Sequence, residues 1–333
     1  MDPGLMLYDR DLGWRLAANW KGRHRHYDFD AGYTTNAYGF RGEFRSRSLE
    51  PGPGRRYAVV GDSFTFGFGV EDHETFTAIL GSRFSPQNVF LNFGVSGYST
   101  DQEYLLIKKQ VFHFAPDHIL LIVYLANDLF DNALPFPLQA NRPKPFFRLS
   151  AGQLILENTP VPLTAKSGDA MKIDLRSIVF GPNSIPEGRI ARIVNRFELF
   201  TMIKPLIFNQ KIQNKGFEER FAHYIELFQS IIQELNAICL KKNIGLSVAL
   251  IPGRSFVERP NSPSAQFQDF LRKKIVQDDE IVNIGLIDLA HNLREKYRNL
   301  PGDWYFPNEG HLTPKGHYLV AKMLSDHLPK LSN

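Results

Sequence analysis

Five runs of mainly β-branched, aliphatic and aromatic residues recur along the chain: Tyr57 to Val60, Val89 to Phe93, His118 to Tyr124, Leu246 to Ile251 and Asn283 to Ile287. Their apolar character is nearly continuous rather than alternating, which is what strands buried on both faces of a parallel sheet require. Between the runs the spacing becomes helical. Phe76, Ile79, Leu80 and Phe84 follow an i, i+3, i+4, i+8 pattern after Asp72, and Thr100 with Glu103 has the spacing of a capping box ahead of Tyr104 to Phe112. A longer stripe of Phe221, Tyr224, Ile225, Phe228, Ile231, Ile232, Leu235, Ile238 and Cys239 predicts a helix with one face on the sheet. Phe267, Phe270, Leu271 and Ile275 mark another, and Leu319, Val320, Met323, Leu324 and Leu328 the last, with Thr313 as N-cap and Pro314 in the first helical position. Strands alternating with helices predict an α/β layered fold.

Two regions break the alternation. Residues 1–50 show little periodicity and end at Pro51-Gly52-Pro53-Gly54, so residues 1–54 read as an irregular N-terminal extension and linker ahead of a domain over 55–330. Residues 130–215 carry Pro135, Pro137, Pro143, Pro145, Pro160 and Pro162 among many aromatics. This insert follows the third predicted strand and is expected to lie over the active-site end of the sheet.

Composition narrows the function. The 333 residues are 43% hydrophobic and 22% charged, which is enough apolar side chain for a large core and excludes a disordered chain. Lys plus Arg exceed Asp plus Glu by only 39 to 35, and the densest basic run, Lys21 to His26, is short, so no nucleic-acid partner is expected. Cys239 is the only cysteine and falls on an apolar helix face, where it reads as a core residue. No run approaches the length of a membrane span and residues 1–11 lack the pattern of an export signal. The expected compartment is therefore cytoplasmic by default, or the cell envelope or periplasm if a signal or anchor has been removed.

The sharpest chemical feature is Val59-Val60-Gly61-Asp62-Ser63-Phe64, an apolar strand that ends in glycine and delivers a serine. Ligands in open α/β sheets bind outside the carboxyl ends of the strands, where a nucleophile belongs. Alone, the tripeptide favours a turn whose polar groups cap the next helix. The other pieces change that reading: Asn92-Phe93-Gly94-Val95-Ser96-Gly97 follows the second strand, Ala126-Asn127-Asp128 the third, and Asn308-Glu309-Gly310-His311 comes after the fifth. All of them fall at or beyond strand ends and can converge.

With these residues the sequence resembles the GDSL/SGNH hydrolase superfamily, named for the Ser, Gly, Asn and His of four ordered blocks, here Ser63, Gly97, Asn127 and His311. The resemblance spans about residues 55–330 and implies a flavodoxin-like three-layer α/β/α fold with a five-stranded parallel sheet. It implies acyl chemistry through an acyl-serine: Ser63 attacks, His311 moves the proton, and the N–H groups of Ser63 and Gly97 with the Asn127 amide receive the oxyanion. There are two departures. Leu125 stands where the third block usually has glycine, and Asn308 stands where the usual Asp-x-x-His has aspartate. Glu309 is the favoured acid for His311, with Asn308 as the alternative orienter.

No cofactor and no metal is expected. His24, His26, Asp28 and Asp30 lack the spacing of a zinc helix, and Gly67-Phe68-Gly69 is only the start of a dinucleotide fingerprint. His317 reads as packing or capping, Asp128 as an anchor of the third-block loop, and Trp304, Tyr305 and Phe306 as walls near His311. The leading function is a serine esterase acting on a small acyl ester, by the resemblance an O-acetyl ester of a carbohydrate. The alternatives are an O-acyltransferase that passes the acyl group to a carbohydrate hydroxyl, and a non-catalytic module that binds a glycan or peptide.

Overall fold

From its first residues the chain makes two antiparallel ribbons, β1 (Met6–Asp9) with β2 (Gly13–Leu16) and β3 (Lys21–Arg25) with β4 (Asp30–Thr34). The computed structural model describes residues 1–44, 54–85, 87–137, 142–163 and 215–328. Much of the expected irregular extension is therefore regular. The pattern hid it because β3 reads KGRHR, with no apolar side chain, and β1 and β2 have four residues each, too few to show alternation. Tertiary burial explains them instead: Leu5, Leu12, Trp14, Leu16, Ala31 and Tyr33 lie in the same core as the central sheet.

That sheet is built from β5 (Arg56–Gly61), β6 (Val89–Gly94), β7 (His118–Tyr124), β10 (Gly245–Ile251) and β11 (Leu286–Ile287). The order is β6-β5-β7-β10-β11 and every pair is parallel. Counted along the chain this is 2-1-3-4-5, the flavodoxin-like order, with its switch point at β5. Tyr57 to Val60 and Ile119 to Val123 are fully buried, as their continuous apolar character requires. The helices are α1 (Ser63–Phe66), α2 (Phe76–Ile79), α3 (Thr100–Lys109), α4 (Asp128–Asp131), α5 (Lys215–Lys241), α6 (Arg254–Glu258), α7 (Pro263–Val276), α8 (Asp279–Gly285), α9 (Leu289–Asn299) and α10 (Pro314–His327). On one side α3 packs with α5; on the other α10 packs with α2 and α9. No helix among the described residues is long and apolar enough to cross a membrane.

Two local expectations change. The last run, Asn283 to Ile287, is strand only at Leu286 and Ile287, because α8 continues through Gly285. Asp278 starts that helix by accepting the N–H groups of Glu280 and Ile281, and the positive φ of Gly285 (108°) turns the chain into the strand. Thr100 and Glu103 form no capping box: Ser99 is the N-cap, the Asn132 side chain accepts the Asp101 N–H, and Thr100 to Glu103 are fully buried. A first turn shut away from water satisfies its donors from neighbouring elements.

The described part of the insert contains a hairpin, β8 (Phe146–Ser150) with β9 (Gln153–Glu157), beside α3 and α5. It is tied there by an ion pair between Lys144 and Asp101, both without exposed side-chain surface, and by the Phe147 ring edge-on to Tyr104. Residues 164–214, most of the expected cover, lie outside the described residues.

Arg41 joins the ribbons to the sheet. It is 2% exposed, packs against the Tyr33 and Phe66 rings, pairs with Asp72, and donates to the carbonyls of Phe66, Gly67 and Val70. Arg41→Met leaves those acceptors without a donor and is expected to lower the unfolding free energy by about 3 kcal/mol, as breaking a buried pair typically does. Urea denaturation measures it, and a loss within error would show that the ribbons are not held through this residue.

Candidate active site

The nucleophile candidate is placed by backbone sterics. A Cβ on Gly61 would stand 2.2 Å from Thr65 Oγ1 and 3.0 Å from the Ile122 carbonyl, so only glycine lets α1 fold back onto the end of β5. Asp62 caps α1 by accepting the Phe64 N–H at 2.8 Å, and Gly67 ends it in the left-handed region. The capping reading of Gly61-Asp62-Ser63 is thus correct for Asp62, while Ser63 projects into the cleft.

His311 approaches from the loop ahead of α10, whose N-cap is Thr313 with Pro314 behind it. Its Nε2 lies 2.7 Å from Ser63 Oγ, and its Nδ1 lies 2.7 and 2.6 Å from the two carboxylate oxygens of Glu309. A carboxylate at Nδ1 keeps the proton there and leaves the Nε2 lone pair facing the serine. Burial opposes the charge of Glu309, but its hydrogen bonds and its attraction to His311 outweigh this and hold the carboxyl below its ordinary range. Phe64 and Phe68 flank the imidazole with centroids at 4.7 and 4.8 Å. Of the two orienters read from the sequence, Glu309 touches His311; Asn308 turns away and donates its amide to Asp28.

The other two oxyanion candidates follow the strands on either side of β5, Gly97 after β6 and Asn127 after β7. Gly97 has φ 82°, and the Trp14 indole stands 3.4 Å from where a Cβ would be while donating Nε1–H to the Ser96 carbonyl. Asn127 is 4% exposed and its Nδ2 donates to Asp131 at 2.7 Å, which fixes the amide. Asp128 accepts the Tyr124 N–H at 2.7 Å and so closes the third-block loop. Leu125, where glycine was the usual residue, is a fully buried core side chain.

Behind these elements three buried carboxyls lie close enough to act on one another, Asp62 after β5, Glu103 in α3 and Asp128 at the start of α4, with Asp101 and Asp131 buried beside them. Burial pushes Asp62 up to about 6, and burial together with the neighbouring acids pushes Glu103 and Asp128 well above the carboxylate range. Both oxygens of Glu103 and Oδ1 of Asp128 have no partner among the described residues, which protonation of the cluster would relieve by adding a donor.

The remaining candidates have other work. His317 accepts the Phe76 N–H through Nδ1 at 3.1 Å and stacks on that ring; burial holds it neutral, down to about 3. His24 meets the Tyr33 hydroxyl, Asp30 pairs with Arg23, and Asp28 faces Asn308 and Glu309, so these side chains diverge. Phe68 backs His311, and Gly69 donates to the Tyr33 hydroxyl. Trp304 and Tyr305 are core residues, and Phe306 packs on Phe29, so Phe64 and Phe68 supply the walls expected of them. Cys239 is buried in the core, where burial pushes its thiol up to about 12. Sequence spacing gave no sign of Trp14 or Asp131, and Arg41 stood out only within the turn-rich segment Thr35 to Gly42. Asp28 stood out only within the His/Asp-rich segment.

No protein-family model and no curated protein matches the chain. Among solved structures it is similar to a protein described as lipolytic and of the G-D-S-L family from Desulfitobacterium hafniense DCB-2, at 14% identity and a TM-score of 0.44, covering 82% of this chain and 99% of that one. It is also similar to a catalytic mutant of an acetylxylan esterase from Geobacillus stearothermophilus, at 12% identity and a TM-score of 0.46, covering 83% and 95%. A third is an alpha/beta hydrolase enzyme from the metagenome of Lake Arreo, Spain, at 12% and 0.46, covering 85% and 100%. The fold assigned above rests on this chain's own strand order and register.

The carboxyl cluster has a measurable consequence. Groups whose folded pKa is raised stabilise the fold below their unfolded pKa, and that contribution is lost as pH rises through the folded value. His24, His118 and His317, held neutral by burial, act in the opposite sense below about pH 6.5, the ordinary histidine value. Above about pH 6.5 the cluster acts without that opposition. Stability is expected to fall there by up to about 1.4 kcal/mol per pH unit for each proton that the folded cluster holds and the unfolded chain does not, and Glu103→Gln to flatten the slope. Equal slopes in chemical denaturation would show that the cluster releases no proton in that window.

Proposed function

We propose that the chain is a serine hydrolase of carboxylic esters that works through an acyl-Ser63 intermediate. The observation that carries this reading is the line of hydrogen bonds from Ser63 Oγ to His311 Nε2 and from His311 Nδ1 to Glu309, at the carboxyl end of β5. In the first half-reaction Ser63 Oγ attacks the ester carbonyl and its proton passes to Nε2. The carbon–oxygen bond to the alcohol then breaks, and the alkoxide leaves with that proton. Water repeats the sequence on the acyl-serine, releasing the acid and restoring the hydroxyl. Glu309 steadies the transient imidazolium, and the N–H groups of Ser63 and Gly97 with the Asn127 amide face the developing oxyanion, where one such donor is worth about 10²- to 10³-fold in rate.

The finer reading is a short acyl group on a carbohydrate. The sequence resemblance to SGNH hydrolases favours a small acyl group such as acetyl, with a sugar as the alcohol.

Intact-mass labelling with a fluorophosphonate is the direct test. One adduct is expected on the wild type and none on Ser63→Ala, with p-nitrophenyl acetate turned over faster than the octanoate. A folded wild type that takes no adduct would remove the hydrolase reading, and a preference for octanoate would remove the short acyl group.

The acid is tested separately. Glu309→Gln keeps the shape but not the charge and is expected to lower kcat/KM by about 10²- to 10⁴-fold. Activity within a few-fold of wild type would mean that Ser63 and His311 act as a dyad.

A further inference from the structure

The turn that carries Glu309 is gripped from outside by one carboxylate. Asp28, at the tip of the β3–β4 ribbon, accepts the Asn308 and Glu309 N–H groups on Oδ2, both at 2.8 Å, and the Asn308 side-chain N–H on Oδ1 at 2.7 Å. Its side chain is 3% exposed although it sits at a ribbon tip. The tip itself is packed: His26 donates its N–H to the Phe29 carbonyl, and the Phe29 ring lies 5.0 Å from Phe306 and 6.0 Å from Phe68, the residue backing His311. Phe306 opens the same turn, whose last residue, Gly310, has φ 90°.

We propose that Asp28 is a positioning residue, acting through the 308–309 backbone to set the Glu309 carboxylate against His311, and that Asn308 is its obligate neutral partner. Two consecutive N–H groups fixed on one oxygen define the plane of the 308–309 peptide, and from there the 309 side chain points inward to Nδ1. Residue 308 then has no freedom to serve as the acid. A carboxylate there would face that of Asp28 with no proton between them, whereas an amide donates. The acid is therefore carried one position later than in the Asp-x-x-His pattern. The ribbon that looked like an appendage to the domain thus becomes part of the catalytic support.

The activity arm rests on the esterase reading, so a readout independent of turnover accompanies it: the downfield proton resonance of His311 Nδ1–H, which Glu309→Gln should abolish. In Asp28→Ala that resonance is expected to be lost, and kcat on p-nitrophenyl acetate to fall about 10- to 100-fold, the scale of a misplaced catalytic group, with KM changed less than about 3-fold. Asn308→Asp should behave like Asp28→Ala. Combining it with Asp28→Asn exchanges donor and acceptor across the pair, and this double variant should recover both the resonance and kcat to within a few-fold of wild type. Asp28→Ala that keeps the resonance and kcat, or a double variant no better than Asn308→Asp alone, would overturn the proposal. If Asp28→Ala fails to fold, the double variant decides it. A wild type without ester turnover would refute the hydrolase reading, while the resonance would still report whether Asp28 sets Glu309.

Discussion

The close approach of α1 to the ends of β5 and β6 is the constraint on which the site depends. Neither Gly61 nor Gly94 has room for a side chain: a Cβ would stand 2.2 Å from Thr65 Oγ1 in the first case and 2.1 Å from the Phe66 nitrogen in the second. That contact presses a single turn of helix into the switch point of the sheet, where the crevice of a parallel α/β fold opens. Ser63 is its first residue, so the position of its hydroxyl is set by backbone packing and needs no flexible side chain to find it. Everything else that reaches Ser63 arrives on a loop and has to be held there.

How those loops are held gives the site its character. Most of the fixing groups are polar and shut away from water: Asp62 at the cap of α1, Asp128 and Asp131 in α4, Asp101 with Lys144 at the head of α3, and Arg41 behind α1. Buried hydrogen bonds to charged groups are strong when complete and costly when broken, so they define a geometry more sharply than apolar packing. The carboxyl cluster of Asp62, Glu103 and Asp128 carries the arrangement furthest, since it links the cap of α1 to the first turns of α3 and α4.

The N-terminal ribbons belong to this scaffold. Trp14 braces the Gly97 loop through the Ser96 carbonyl and Tyr98 donates back to the Trp14 carbonyl; Arg41 clamps α1; Asp28 grips the turn of Glu309. Three separate contacts from the first 41 residues thus reach three sides of one cleft. A boundary drawn at residue 54 divides the sequence where its composition changes, but it cuts through the support of the site.

The sequence by itself determined the central sheet and the order of its chemistry. Continuous apolar runs mark strands buried on both faces whatever lies around them, and Ser63, Gly97 and Asn127 follow strand ends that parallel topology gathers together, while His311 joins them from the loop ahead of α10. What it left open is what depends on contacts between distant segments. Glu309 and Asn308 are adjacent in the chain and equivalent in reach, and only Asp28, some 280 residues earlier, separates their roles. β3 carries no apolar side chain, so no periodicity announces it, and Asn283 to Gly285 look like strand until Asp278 caps a helix through them. Local pattern records which face a segment buries; it does not record which polar group a distant segment brings to it, and in this cleft those groups decide the geometry.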